Sequence, residues 1–250
     1  MSNKIDRRAL LIGAGLSAAT AAASAGLGST GKGAKRFATP TEPIPVAFMM
    51  DQAATMIDFA GPWEALQDAI VGGVPGFYNY TVAPEKRLYD TTGNISRSEG
   101  RTTVAGLKFM PDHVFEDAPQ PRIIIMGAQM NSDDPRKREW LKRMEPGADI
   151  VMSVCTGAFI LAGTGLLDGR PATTHHDYYA YFAKAYPKVQ VMTGRRFVES
   201  GKFITTGGLT SGVDGALHVV SLFYGDEVAS KAAAYMEHDS QGWRTGLRGA

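Results

Sequence analysis

Residues 148–162 read ADIVMSVCTGAFILA, and how they are read decides the fold. Positions 150–154 are an apolar-rich run with the character of a buried strand, and 157–162 have the composition of a helix start. Cys155 therefore falls on the turn between them. A strand, a nucleophile and a helix in that order make an elbow. The sharp turn lifts the sulfur out of the sheet, and unpaired N–H groups at the helix start favour a thiolate. The same stretch fits a plainer reading, in which a lone cysteine flanked by Val154 and Phe159 is a small buried hydrophobe.

Outward from the elbow, strand-like and helix-like stretches alternate. Strands are expected at 46–50, 77–83, 102–109, 123–126, 189–192, 196–199 and 203–206, with 123–126 (IIIM) having the β-branched run of a central parallel strand. Residues 51–58 read as a loop, and Pro62 suits the first turn of a helix reaching about residue 70 and stopping at Gly72-Gly73. Further helices are expected at 135–144, 177–185, 213–223 and 227–236, and 87–101 as a hairpin-like excursion. This alternation implies an α/β domain with a mostly parallel sheet covered on both faces. The domain is expected over 46–240, with 241–250 as a tail.

Composition narrows the function. The 250 residues are 44% hydrophobic and 20% charged with formal net charge +1, so no basic excess points to nucleic acid. A single cysteine excludes an intramolecular disulfide and any multi-cysteine zinc or iron–sulfur site within the chain. Gly207, Gly208 and Gly212 lack the spacing and the following Lys-Ser/Thr of a phosphate loop, and read as backbone passing close to the elbow. His175 and His176 are adjacent, and neighbouring side chains diverge in a helix or strand, so the pair is not expected to bind metal.

At the N-terminus, Arg7-Arg8 precede a weakly apolar, alanine-rich stretch ending in Ala23-Ser24-Ala25. That is the pattern of a twin-arginine signal peptide over 1–25, with 26–45 as linker. The expectation is a periplasmic protein, exported folded and not membrane-anchored after cleavage.

Residues 58–64 (DFAGPWE), 153–158 (SVCTGA), 172–175 (ATTH) and 206–214 (TGGLTSGVD) together resemble the ThiJ/PfpI superfamily, and within it the isonitrile hydratase branch. The resemblance implies a flavodoxin-like three-layer α/β/α sandwich with a nucleophile elbow, a homodimer, and a cofactor-free lyase that adds water to a small isocyanide. Carried over by motif, it implies Cys155 as nucleophile, Asp58 as acid and base, and Thr156 as an N–H donor near the reacting nitrogen. A second N–H is expected from Gly127-Ala128, where relatives usually carry Pro-Gly-Gly. Gly157, His176, Gly207 and Gly208 would shape the pocket, although hydratases generally have tryptophan in the place of His176. Like-charge repulsion makes one proton shared between Cys155 and Asp58 the sensible ground state. Spacing alone favours Asp58 as a helix N-cap ahead of Pro62, and it is the resemblance that makes it a candidate acid.

His175 stands as a further candidate, because a Cys–His pair would favour amidase, peptidase or glyoxalase chemistry instead; it could equally just hydrogen-bond a loop. The branch also resembles the N-terminal domains of AraC-type regulators, which keeps a non-catalytic ligand sensor open.

Overall fold

The computed structural model describes residues 36–91 and 106–246. Residues 1–25, where a signal peptide is expected, and residues 26–35 of the expected linker lie outside them, as do 92–105 of the expected excursion and strand and 247–250 of the expected tail.

Seven strands form one sheet: β1 (Ile44–Met49), β2 (Phe77–Ala83), β3 (His113–Val114), β4 (Ile123–Met126), β5 (Ile150–Ser153), β6 (Phe197–Ser200) and β7 (Phe203–Thr206). Their order is β6-β7-β5-β4-β1-β2-β3, and every pairing is parallel except β6 with β7. Side chains on a strand alternate between faces, so Val46, Phe48, Ile123, Ile125, Ile150 and Met152 enter one core while Ala47, Met49, Ile124, Met126 and Val151 enter the other. Helices α1 (Met56–Gln67), α5 (Ser211–Tyr224), α6 (Asp226–Tyr235) and α7 (Gly242–Thr245) cover the first face. Helices α2 (Pro135–Met144), α3 (Gly157–Ala162) and α4 (Tyr179–Ala185) cover the second. The result is the mostly parallel, flavodoxin-like α/β sandwich that the alternation and the resemblance implied.

From β1 the chain crosses through α1 to β2 on one side, whereas from β4 it crosses through α2 to β5 on the other. This reversal opens a crevice at the carboxyl ends of β1 and β4. Asp58, Gly127, Cys155 and Gly207 all follow parallel strands, so one edge of the sheet collects them.

Several expectations need correction. Helix α1 begins at Met56, not after 58, and Pro62 lies inside it. Residues 70–75 form a small antiparallel ribbon about Gly72-Gly73 instead of extending the helix. Of the strand expected at 102–109, the described part is Lys108–Phe109, paired with Tyr89–Asp90; Gln190–Val191 pairs with Pro171–Ala172 outside the main sheet. The edge strand β3 has too short an apolar signal to be read from sequence.

The folded unit also passes both drawn boundaries. Phe37 stacks on Phe223 with ring centroids 4.3 Å apart, and Trp243 is 2% exposed in the core. The segment carrying Trp243 is tied down by buried Asp214, whose carboxylate accepts from His238 Nε2 (2.8 Å), Ser240 Oγ (3.3 Å) and Arg196.

Candidate active site

Cys155 has φ +57°, the left-handed region that costs a non-glycine residue about 1–2 kcal/mol. Long-range bonds hold it there. Its N–H donates to Gly207 O (2.9 Å), and its carbonyl accepts from Thr174 Oγ1 (2.9 Å). The neighbouring Val154 N–H reaches Met126 O (2.8 Å), lashing the turn to the end of β4. Gly157 is required where α3 starts, since a Cβ there would lie 2.3 Å from Met126 O. The elbow is thus built by strands β4, β5 and β7 together.

Asp58 sits in the first turn of α1, with Thr55 in the N-cap position, so its carboxylate is not the cap ahead of Pro62. It points inward and is fully buried. Oδ2 accepts from the Ala128 N–H at 2.9 Å, while Oδ1 is sealed from solvent without a completed hydrogen bond. Gly127 lets this contact form, because a Cβ there would lie 2.6 Å from Asp58 Cβ. The Ala128 N–H is therefore committed to the carboxylate and is not a second donor open to substrate, as the resemblance had implied.

Burial pushes the Asp58 carboxyl up to about 6, with the Ala128 and Leu209 N–H groups and the Cys155 thiol pulling the other way. Burial and the adjacent Asp58 charge push the Cys155 thiol up to about 12, against the N–H and hydroxyl of Thr156. The expectation that a helix start would favour the thiolate does not hold, because α3 is six residues long and desolvation outweighs it. Between about pH 6 and 12 the pair thus holds one proton, mainly on sulfur. Chemically this is a thiol beside an ionised carboxylate that can take its proton as the sulfur attacks, then return it to the adduct.

Thr156 directs its N–H and hydroxyl at the Cys155 sulfur, and Gly207 supplies the carbonyl under the elbow. Gly208 backs directly onto the His175 ring, where a Cβ would approach within 2.1 Å. His175 Nδ1 accepts from the Asp177 N–H (3.2 Å), capping the 3-10 turn His176–Tyr178. His176 is exposed at the rim.

The expected divergence of the two imidazoles is not observed. In this turn the rings stack at 4.3 Å and 25°, and with Asp177 they bring ligand atoms within 4.8 Å of one another. His175 Nδ1 is already engaged by the Asp177 N–H, which works against a metal at that nitrogen.

Sequence reading missed two contributors. Leu209, with φ +56°, turns its N–H toward Asp58, and Thr174 braces the elbow carbonyl. Both stood in stretches already singled out, 172–175 and 206–214, but no periodicity or turn signal gave either residue this role.

Comparisons with known proteins agree with this architecture. Over 142 residues the chain is 30% identical to an isonitrile hydratase from Pseudomonas putida, covering 55% of this chain and 60% of that protein. It is 33% identical over 95 residues to the HTH-type transcriptional regulator CdhR of Pseudomonas aeruginosa, covering 38% of this chain and 28% of the regulator. The matches therefore span less than two thirds of either relative. Among solved structures, a ThiJ/PfpI family protein from Pseudomonas syringae superposes with TM-score 0.66 at 22% identity, over 80% of this chain and 77% of that one. Drosophila melanogaster DJ-1beta superposes with TM-score 0.64 at 14% identity, over 80% of this chain and all of its own. The family model for DJ-1/PfpI runs from residue 45 to 222, through the Asp58 turn, the elbow and the glycine-rich turn, and the chain belongs to the DJ-1/PfpI family.

Proposed function

We propose that the protein is a cysteine-dependent hydratase of small isocyanides. The observation that carries this reading is the buried Cys155 thiol beside the buried Asp58 carboxyl, with burial raising the proton affinity of both. The isocyanide carbon must receive a nucleophile and a proton. As the sulfur bonds to it, Asp58 takes the thiol proton and passes it to the same carbon, giving a thioimidate, R–N=CH–S–Cys155. Asp58, ionised again, draws a proton from water as its oxygen attacks. Asp58 hands that proton to the nitrogen, giving R–NH–CH(OH)–S–Cys155. Collapse then breaks the C–S bond as the hydroxyl proton passes through Asp58 to the sulfur, so one isocyanide and one water give R–NH–CHO with the thiol and the carboxylate restored. Thr156, whose N–H and hydroxyl face the sulfur, supports the developing thiolate.

Incubation with cyclohexyl isocyanide should yield N-cyclohexylformamide. Cys155→Ala and Asp58→Asn should each lose at least 100-fold in turnover. No turnover by the wild type, or full turnover in Cys155→Ala, sinks the reading.

A ligand-sensing role is favoured by the match to CdhR. It predicts saturable binding of a small molecule with no chemical change, which mass spectrometry of the ligand distinguishes. Amidase-type chemistry with His175 predicts loss in His175→Ala but not in Asp58→Asn. Export and assembly belong to the same proposal. The precursor should be shortened and periplasmic, with Arg7→Lys/Arg8→Lys trapping it inside, and light scattering should give twice the monomer mass.

A further inference from the structure

Lys137 is the one lysine among the described residues that is fully buried. It sits on α2, and its Nζ pairs with buried Asp51 (2.9 Å) and donates to Met130 O (2.6 Å). Asp51 follows β1, accepts from Gln52 N (2.7 Å) and Asn131 Nδ2 (3.3 Å), and has Arg87 at 3.9 Å. These bonds clamp two loops, one after β1 and one after β4. The loops are further joined by Met130 N to Gln52 O (2.9 Å), Gln129 Nε2 to Met49 O (3.2 Å) and Thr55 N to Ala128 O (2.8 Å). The last of these fixes Ala128, whose N–H is the donor on Asp58 Oδ2.

Burying an ion pair is costly, and an apolar pair of similar volume is often as stable, so stability alone gives weak reason for this one. We propose that the Lys137–Asp51 pair is a positioning device that holds the Ala128 N–H on Asp58 and so sets the proton affinity of the candidate acid. The proposal rests on the role given to Asp58, but its test needs no isocyanide. Around Asp58 the polar neighbours are the Cys155 thiol and the Ala128 and Leu209 N–H groups. Around Lys137 the charged neighbours are Asp51, Asp134 and Arg136. The pair therefore acts on Asp58 through the loop, not as a direct charge.

Because Cys155 is the only cysteine, its alkylation by iodoacetamide can be followed in the whole protein across pH. In the wild type the rate should rise as the pair loses its first proton, and Asp58→Asn should abolish that step. Loss of the Ala128 hydrogen bond removes an interaction that favours the carboxylate. Lys137→Met should therefore move the midpoint upward by about one unit. The milder Asp51→Asn should shift it the same way by less, and serves if the first variant does not fold. A lowered melting temperature with an unmoved midpoint in the folded variants would make the pair merely structural and overturn the proposal. So would a step that survives in Asp58→Asn. Absence of isocyanide turnover in a wild type that still shows these shifts sinks the hydratase reading alone.

Discussion

At residue scale the proposed chemistry turns on where one proton resides. Asp58 is buried with a carboxyl raised from 3.8 to about 6, so the folded state holds its proton more tightly than the unfolded chain. The sign follows: the stabilisation is complete below pH 3.8 and is lost as pH rises through 6, because ionising a sealed carboxylate is unfavourable. A rise of about two units corresponds to about 3 kcal/mol. Asp58→Asn should therefore be more stable than wild type by up to about 3 kcal/mol at pH 8, with the gap closing toward pH 4. Denaturant unfolding at the two pH values measures this, and equal stability at pH 8 would contradict it. Wild-type turnover should rise with a midpoint near pH 6 as the carboxylate becomes able to accept the thiol proton. The composition of 148–162 and the Asp58 motif made both residues legible as candidates. Their protonation was not, because it depends on groups remote in sequence: Ala128, which bonds Asp58, lies 70 residues away.

At element scale the elbow and α2 were read correctly from local pattern. The turn has no slack at Gly157, where an added Cβ would meet the Met126 carbonyl at 2.3 Å. Gly157→Ala must push α3 or β4 aside, at about 1–3 kcal/mol. Displacing the sulfur by even 1 Å can cost about 100-fold in rate. A melting temperature and an alkylation rate both equal to wild type would show that the turn absorbs the methyl. Lys137 had a signal available, since with Trp140, Leu141 and Met144 it completes the i, i+3, i+4, i+7 stripe of α2. Its charge hid it among the five cations of residues 135–144. Helix α1 starts earlier than its proline implies, because proline is common in first turns, yet here Pro62 is the seventh residue. Its missing N–H leaves the carbonyl of Asp58 without its helical partner, a tolerable loss within the first turns.

At the scale of the whole molecule the described residues beyond the expected domain join the core, Phe37 packing against it and Trp243 lying within it. Trp243→Ala should cost about 3–5 kcal/mol, the range for truncating a buried tryptophan. A chain cut after residue 240 should be destabilised at least as much, read by thermal unfolding of both variants. A loss below 1 kcal/mol would return these residues to the status of a tail. The sequence by itself determined the alternation of the main strands and helices, the parallel central strands and the place of Cys155 on its turn. Those features follow from period-two and period-3.6 patterns and from turn chemistry, which act between residues a few positions apart. Only the tertiary structure decided that Trp243 enters the core, that His175 and His176 stack, that Ala128 serves Asp58, and that burial raises the proton affinity of the Cys155 thiol. Each of these depends on desolvation or contact between segments distant in sequence, and no local pattern encodes how much water a fold removes from a group.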